Sequence, residues 1–144
     1  MRLHDLVRNY FEWSGSKLED DICRLSVDPL NFPQLHEMVQ VCVGLIDQPL
    51  SEEELDAFLM SMALDHEDER ILDYLKANAG QTFIVQLLSR GVRHPQSNAR
   101  WQMTELLRKP IPGRLEYLSI LLADSHPYVR KRAENVAEDI KNQR

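Results

Sequence analysis

An all-α fold is what this sequence predicts, and three observations carry the expectation. Nearly every segment spaces its apolar residues three and four apart, the period of one helix face. No segment sustains the two-residue alternation with β-branched enrichment that a half-buried strand needs. Helix starts and stops, of which Ser51-Glu52-Glu53-Glu54 and Asn78-Ala79-Gly80 are the clearest, punctuate the chain at helical intervals.

Taken in order, Leu3, Leu6, Val7, Tyr10 and Phe11 fall at i, i+3, i+4, i+7 and i+8, one face of an amphipathic helix. Leu18, Ile22 and Leu25 form a narrower stripe, broken by Asp28-Pro29 and Pro33. From Pro33 to Asp47, Leu35, Met38, Val39, Val41, Cys42, Val43, Leu45 and Ile46 cover most of a helical circumference. A helix apolar nearly all round is buried, so this one is expected at the centre. Ser51 and Glu54 make a capping box, and Glu52, Glu53 and Glu54 suit the positive end of the helix dipole. Leu55, Phe58, Leu59 and Met62 supply that helix's buried face. Further helices are expected at about 66–78, 81–91, 96–108, 113–123 and 127–141, with Pro110 and Pro112-Gly113 marking one junction. The sum is eight or nine helices in a single α-helical domain over residues 1–144.

The later helices repeat. Arg70, Arg100 and Arg130 recur every 30 residues, and the last two align Ala99 with Val129, Met103 with Ala133 and Leu106 with Val136. Each of those two helices follows a His-Pro, at His94-Pro95 and His126-Pro127, and each follows another amphipathic helix. A helix pair of this kind cannot bury both its faces alone, and stacking pairs solves the problem. The stretch from Leu121 to Ile140 resembles the second half of a HEAT repeat. Asp124, Pro127, Val129, Arg130 and Ala133 fill that family's turn acid, turn proline, Val-Arg pair and small apolar position. Residues 94–107 match more loosely, without the turn Asp, and 64–75 more loosely still, with Asp73 at the small position. The resemblance implies a HEAT-like stack of antiparallel helix pairs, clearest over 63–144. It also implies that Arg100 and Arg130 brace neighbouring repeats.

Composition bounds the function classes. The 144 residues are 43% hydrophobic and 28% charged, which a globular chain shows and a disordered one does not. No apolar run reaches the roughly 18–20 residues of a membrane helix, and the first residues lack a signal peptide's apolar region, so a cytoplasmic protein is expected. Cys23 and Cys42 both fall in helical patterns, where free buried thiols are the expectation. Metalloprotease, zinc-ribbon, phosphate-loop and nucleophile-elbow motifs are all absent, so neither catalysis nor a cofactor is expected. His66 and Glu69 share a face, but two ligands do not make a metal site. His94 and His126 are expected in turns, capping helices.

Charge is the better clue. Residues 1–72 carry 16 Asp/Glu against 5 Lys/Arg, whereas 73–144 carry 7 against 12. Asp47, Glu52, Glu53, Asp56, Glu67, Asp68 and Glu69 lie within 23 residues that contain no basic residue. Some of these acids flank helix starts; as a group they also fit a surface for a basic partner. Trp101 lies opposite the arc of Ala99, Met103 and Leu106, where it is either an exposed anchor or packed on a neighbouring helix. The rival is nucleic acid, bound through Arg90, Arg93, Arg100, Arg108, Lys109, Arg114, Arg130, Lys131 and Arg132, as in HEAT-like DNA glycosylases. The acidic balance, with a pI near 5.3, opposes it. In size, charge and architecture the chain resembles bacterial immunity proteins, which neutralise co-encoded toxins, often basic nucleases. That resemblance implies a partner-binding role for the acids and Trp101. A scaffold or adaptor subunit is the other alternative.

Overall fold

A computed structural model describes residues 2–25 and 27–143, and for Cys23 the backbone alone, so the expectation for its thiol lies outside the described residues. Among the described residues the chain is all-α, with eight α-helices and no strand. They are α1 (Leu3–Ser14), α2 (Leu35–Leu45), α3 (Glu52–Leu64), α4 (Arg70–Asn78), α5 (Gln81–Gly91), α6 (Ser97–Leu106), α7 (Arg114–Leu122) and α8 (Pro127–Asn142). No helix among them is long and apolar enough to cross a membrane.

Local chemistry sets the boundaries. Gly15 takes the left-handed conformation (φ 71°) that closes α1, its N–H donating to the Phe11 carbonyl at 2.9 Å. The capping box forms as the sequence predicts: the Glu54 N–H donates to Ser51 Oγ at 3.2 Å, and Glu54 Oε1 accepts from the Ser51 N–H at 3.3 Å. The stripe of Leu18, Ile22 and Leu25 does not become a helix. It folds into turns with short 3-10 pieces at Ile22–Arg24 and Pro29–Asn31, the second capped by Asp28 Oδ1 accepting from the Leu30 N–H at 2.9 Å. Three apolar residues cannot bury a full helical face, and Leu18 stays exposed.

One contiguous apolar core runs from Leu3 to Val136. Its axis is α3, packed against α1, α2, α5 and α6, with every residue from Ala57 to Leu64 buried. The expectation that the 33–47 helix is central is therefore corrected. α2 buries Leu35, Met38, Val39 and Cys42, while Val41, Val43 and Leu45 on its other side are half-exposed. Cys42 is a free thiol, pushed well above its ordinary range by burial, which leaves it unreactive.

α6 is the second axis, although its composition is polar. It packs against α3, α4, α5, α7 and α8, and every residue except Arg100 is buried. Most of its polar side-chain atoms are bonded, which is why they are tolerated, although Gln102 Oε1 has no partner among the described residues. The Gln102 amide donates to the Met62 carbonyl at 2.8 Å and the Asn98 carbonyl at 2.7 Å. Gln96, just before α6, donates to the carbonyls of Leu18 at 2.9 Å and Asp20, and its Oε1 accepts from the Ile22 N–H at 3.2 Å. One glutamine thus fastens the irregular 18–22 segment to the centre of the molecule.

Arginines tie the helix pairs together at the turns. Arg100 grips Asp124 with two hydrogen bonds, at 2.8 and 3.2 Å, and its Nη1 donates to the carbonyls of His94 and Pro95. Arg130 donates to the Asp124 carbonyl at 2.7 Å, and Arg70 donates to Asp65 Oδ1 at 3.2 Å. Asp65 is 1% exposed, and its other oxygen accepts from the Ile71 N–H at 2.9 Å.

Candidate protein-docking site

Helix α3 is 13 residues long, which separates its ends by about 20 Å. The acids between 47 and 69 therefore do not form one surface. Glu52, Glu53 and Asp56 stand at its N-terminal end, and Glu67, Asp68 and Glu69 lie beyond its C-terminal end. Asp47 does a local job: in a left-handed conformation (φ 68°), its Oδ1 accepts from the Gly80 N–H at 2.8 Å where α5 begins.

These acids are also less unopposed than the local sequence implies. Arg90 on α5 makes a two-pronged pair with Asp56, both bonds at 2.8 Å, and stands 3.7 Å from Glu52. At the far end Arg70 lies 3.9 Å from Asp68 as well as holding Asp65. Glu53, Glu67 and Glu69 form no ion pair among the described residues.

Trp101 is not an exposed anchor. It is 5% exposed, packed edge-to-face against Tyr128 at 5.9 Å, with the Arg132 guanidinium 4.5 Å over its ring and its Nε1–H on Asn98 Oδ1 at 3.2 Å. Helix α8 covers the face that α6 turns away from its own apolar arc. The pair's exposed member is Tyr128.

The N-terminal acids gain a context that the sequence does not display. Glu53 and Asp56 border a largely apolar recess of about 170 Å³ walled by His4, Val7 and Phe11 of α1, Leu18, and Ala57 and Met60 of α3. Leu18 and Asp56 also border a second recess of about 390 Å³, with Ser89, Arg90, Arg93, His94 and Pro95 on its walls. The two recesses thus adjoin at Leu18 and Asp56, one largely apolar and the other charged. His94 is 5% exposed; its Nδ1 accepts from the Gln96 N–H at 3.1 Å, which leaves the proton on Nε2, without an acceptor among the described residues. Burial pushes its pKa down to about 4, with Arg100 and Arg90 assisting and Asp56 opposing, so the ring is neutral near pH 7. At the opposite end of α3, Glu67 borders a recess of about 310 Å³ with Ile22, Leu25, Val27 and Pro29.

The basic half is mostly spent inside the molecule. Arg90, Arg100, Arg108 and Arg132 are held by carboxylates, the last two sharing Glu105, with Arg108 also on Asp139. Lys109, Arg114 and Arg130 donate to backbone carbonyls. Of the nine cations the sequence offers to a phosphate backbone, Arg93 and Lys131 have no partner among the described residues. Sequence reasoning missed the charged recess because Asp56 and Arg90, which both line it, lie 34 residues apart with no local signal linking them. Among the described residues no group of three His, Cys, Asp or Glu is placed to hold a metal ion. No family model, curated protein or solved structure matches this chain.

Proposed function

We propose that this chain is a non-catalytic protein-binding module, a HEAT-like helical stack of one domain that works in the cytoplasm. Its partner is a basic protein, most concretely a co-encoded toxin domain that it blocks in the manner of a bacterial immunity protein. The observation that carries this reading is the recess between α1 and α3, where an apolar floor meets the carboxylates of Glu53 and Asp56. Buried apolar contact supplies affinity in such an arrangement, while exposed acids raise the association rate and select the partner. A bound toxin is excluded from its own anionic substrate by occupation, with no chemical step required.

The test is a calorimetric titration against the product of the adjacent gene. A tight 1:1 complex with a basic protein supports the reading, as does its weakening by Glu52→Lys with Glu53→Lys. Glu67→Lys with Glu69→Lys, about 20 Å away along α3, is expected to weaken it much less. Salt-sensitive retention of DNA that is lost on Lys131→Glu with Arg93→Glu supports a nucleic-acid binder instead.

A further inference from the structure

We infer that two copies of this chain pair through the face that holds the two adjoining recesses. The twofold axis passes near Leu18, so that Glu53 of each copy meets Arg93 of the other. This goes beyond the docking reading, since a second copy covers the face when no other protein does. What folding leaves free on that face carries the inference. Glu53, at the edge of the recess between α1 and α3, is exposed and forms no ion pair among the described residues. Arg93, at the edge of the adjoining recess, is exposed and likewise held by no carboxylate among them. Its neighbour Arg90 is spent on Asp56. Leu18, common to both recesses, lies between the two free charges and is 41% exposed. The face thus runs acid, leucine, base.

That order is its own complement. A twofold contact sets one residue of a copy on a second residue of the other, and the second on the first. With the axis midway between acid and base, the base falls on the acid at both ends and leucine falls on leucine. Both ends fit at once, because the two copies carry the same spacing. Charge disfavours the far end of α3: the chain carries −6, and copies approaching through Glu67, Asp68 and Glu69 repel. At the face around Leu18 the free charges cancel, and Lys17 and Glu19, exposed on either side of it in the chain, add one of each sign. Leu18, half-buried Phe11 and exposed Pro95 supply the apolar contact. The area is small and exposed ion pairs are weak, so the dimer is transient, with charge fixing its register.

Sedimentation equilibrium of the full chain, from about 10 µM to about 1 mM, tests this. The wild type is expected to pass from monomer to dimer over that range and to dissociate at high salt. Glu53→Arg and Arg93→Glu each set two like-charged pairs across the contact and should weaken the dimer at least about tenfold. An equimolar mixture of the two variants should dimerise as wild type does, because both pairs are then of opposite sign again. So should the chain carrying both substitutions. Loss through misfolding would not be repaired by mixing, and circular dichroism of each variant checks the fold. Leu18→Ser should weaken the dimer with the charges intact. A wild type that stays monomeric at 1 mM overturns the inference, as does a dimer indifferent to both charge reversals or a mixture that stays monomeric. If a basic protein binds and is sensitive to Glu52→Lys with Glu53→Lys while the chain alone stays monomeric, the inference fails and the docking reading stands. If the dimer forms and mixing restores it while no basic protein binds, the docking reading fails instead.

Discussion

Replacing His94 with asparagine isolates a single buried proton equilibrium. The imidazole Nδ1 accepts from the backbone N–H two residues on, and asparagine Oδ1 stands in the same place, as Asp28 and Asp124 show in their own turns. The variant therefore keeps the turn and loses the titration. Burial pushes the pKa of His94 from 6.5 in the open chain down to about 4. A depressed folded pKa means that the native state binds the proton more weakly, so the stability it contributes is present above 6.5 and is lost as pH falls toward 4. Between about pH 7 and pH 4.5 that loss is about 2 kcal/mol, levelling near 3 kcal/mol in stronger acid. Urea unfolding followed by circular dichroism measures it. The two proteins differ in one titrating group alone, so the difference between the two pH profiles belongs to His94. The wild type should lose about 2 kcal/mol more than His94→Asn over this range. Parallel profiles would show that the ring titrates near its ordinary value and would refute the argument from burial.

Other contacts carry equally direct expectations. Arg100→Met leaves Asp124, whose side chain is 6% exposed, without its ion-pair partner and should cost about 3 kcal/mol. Adding Asp124→Asn should recover part of that loss in a double-mutant cycle, and simple additivity would deny the coupling. Gly91→Ala places a Cβ into Met103 and against Leu59 where α5 crosses α6 and α3, and should cost about 2 kcal/mol in thermal unfolding. A neutral effect there would mean that Met103 yields freely. For Glu105, burial pushes the carboxyl pKa up, but the hydrogen bonds from Arg108 and Arg132 outweigh it and hold the value below the usual range. Its stabilisation is thus present above the unfolded pKa and disappears as pH falls through the folded one. Glu105→Gln should accordingly destabilise near neutral pH and converge with wild type in strong acid, as read by unfolding free energies across that range.

The parts of the fold legible in the sequence are those decided locally. The capping box at Ser51 and the Gly15 stop depend on neighbouring backbone groups alone, and the repeat spacing of Arg100 and Arg130 marks turns that the arginines do brace. What was not legible depends on which helix covers which. Helix α2 reads as apolar all round yet lies at the margin, whereas α6 reads as polar yet lies at the centre, because Gln102 and Trp101 find partners on α3, on α8 and within α6 itself. Hydropathy scores a glutamine by its cost in a bare apolar site. It cannot see the Met62 carbonyl that accepts from the amide and offsets part of that cost. The helical wheel correctly turned Trp101 away from the arc of Ala99 and Met103, but only the return of α8 decides that this face is also interior.

The charge pattern carries the same lesson into function. The excess of acids in residues 1–72 and of bases in 73–144 reads as a polarised molecule, but folding pairs the two halves across their difference. Arg90 meets Glu52 and Asp56 from the opposite half, while within the basic half Glu105, Asp124 and Asp139 absorb Arg100, Arg108 and Arg132. In the basic half pairing consumes the cations more completely, because Arg100 and Arg132 meet the largely buried carboxylates of Asp124 and Glu105 while Arg90 reaches Asp56 on α3. Glu53, Glu67 and Glu69 are left unpaired by the same geometry. A free acid matters for recognition only where something apolar lies beside it to supply affinity. Glu67 borders a recess walled by the irregular segment around Ile22 and Leu25. Glu53 stands over a recess walled mainly by two regular helices fixed in place by the core, with Leu18 of the irregular segment completing it. A site on rigid elements loses less entropy when a partner arrives, and on that ground the N-terminal end of α3, more than the acidic run as a whole, is where binding is to be sought.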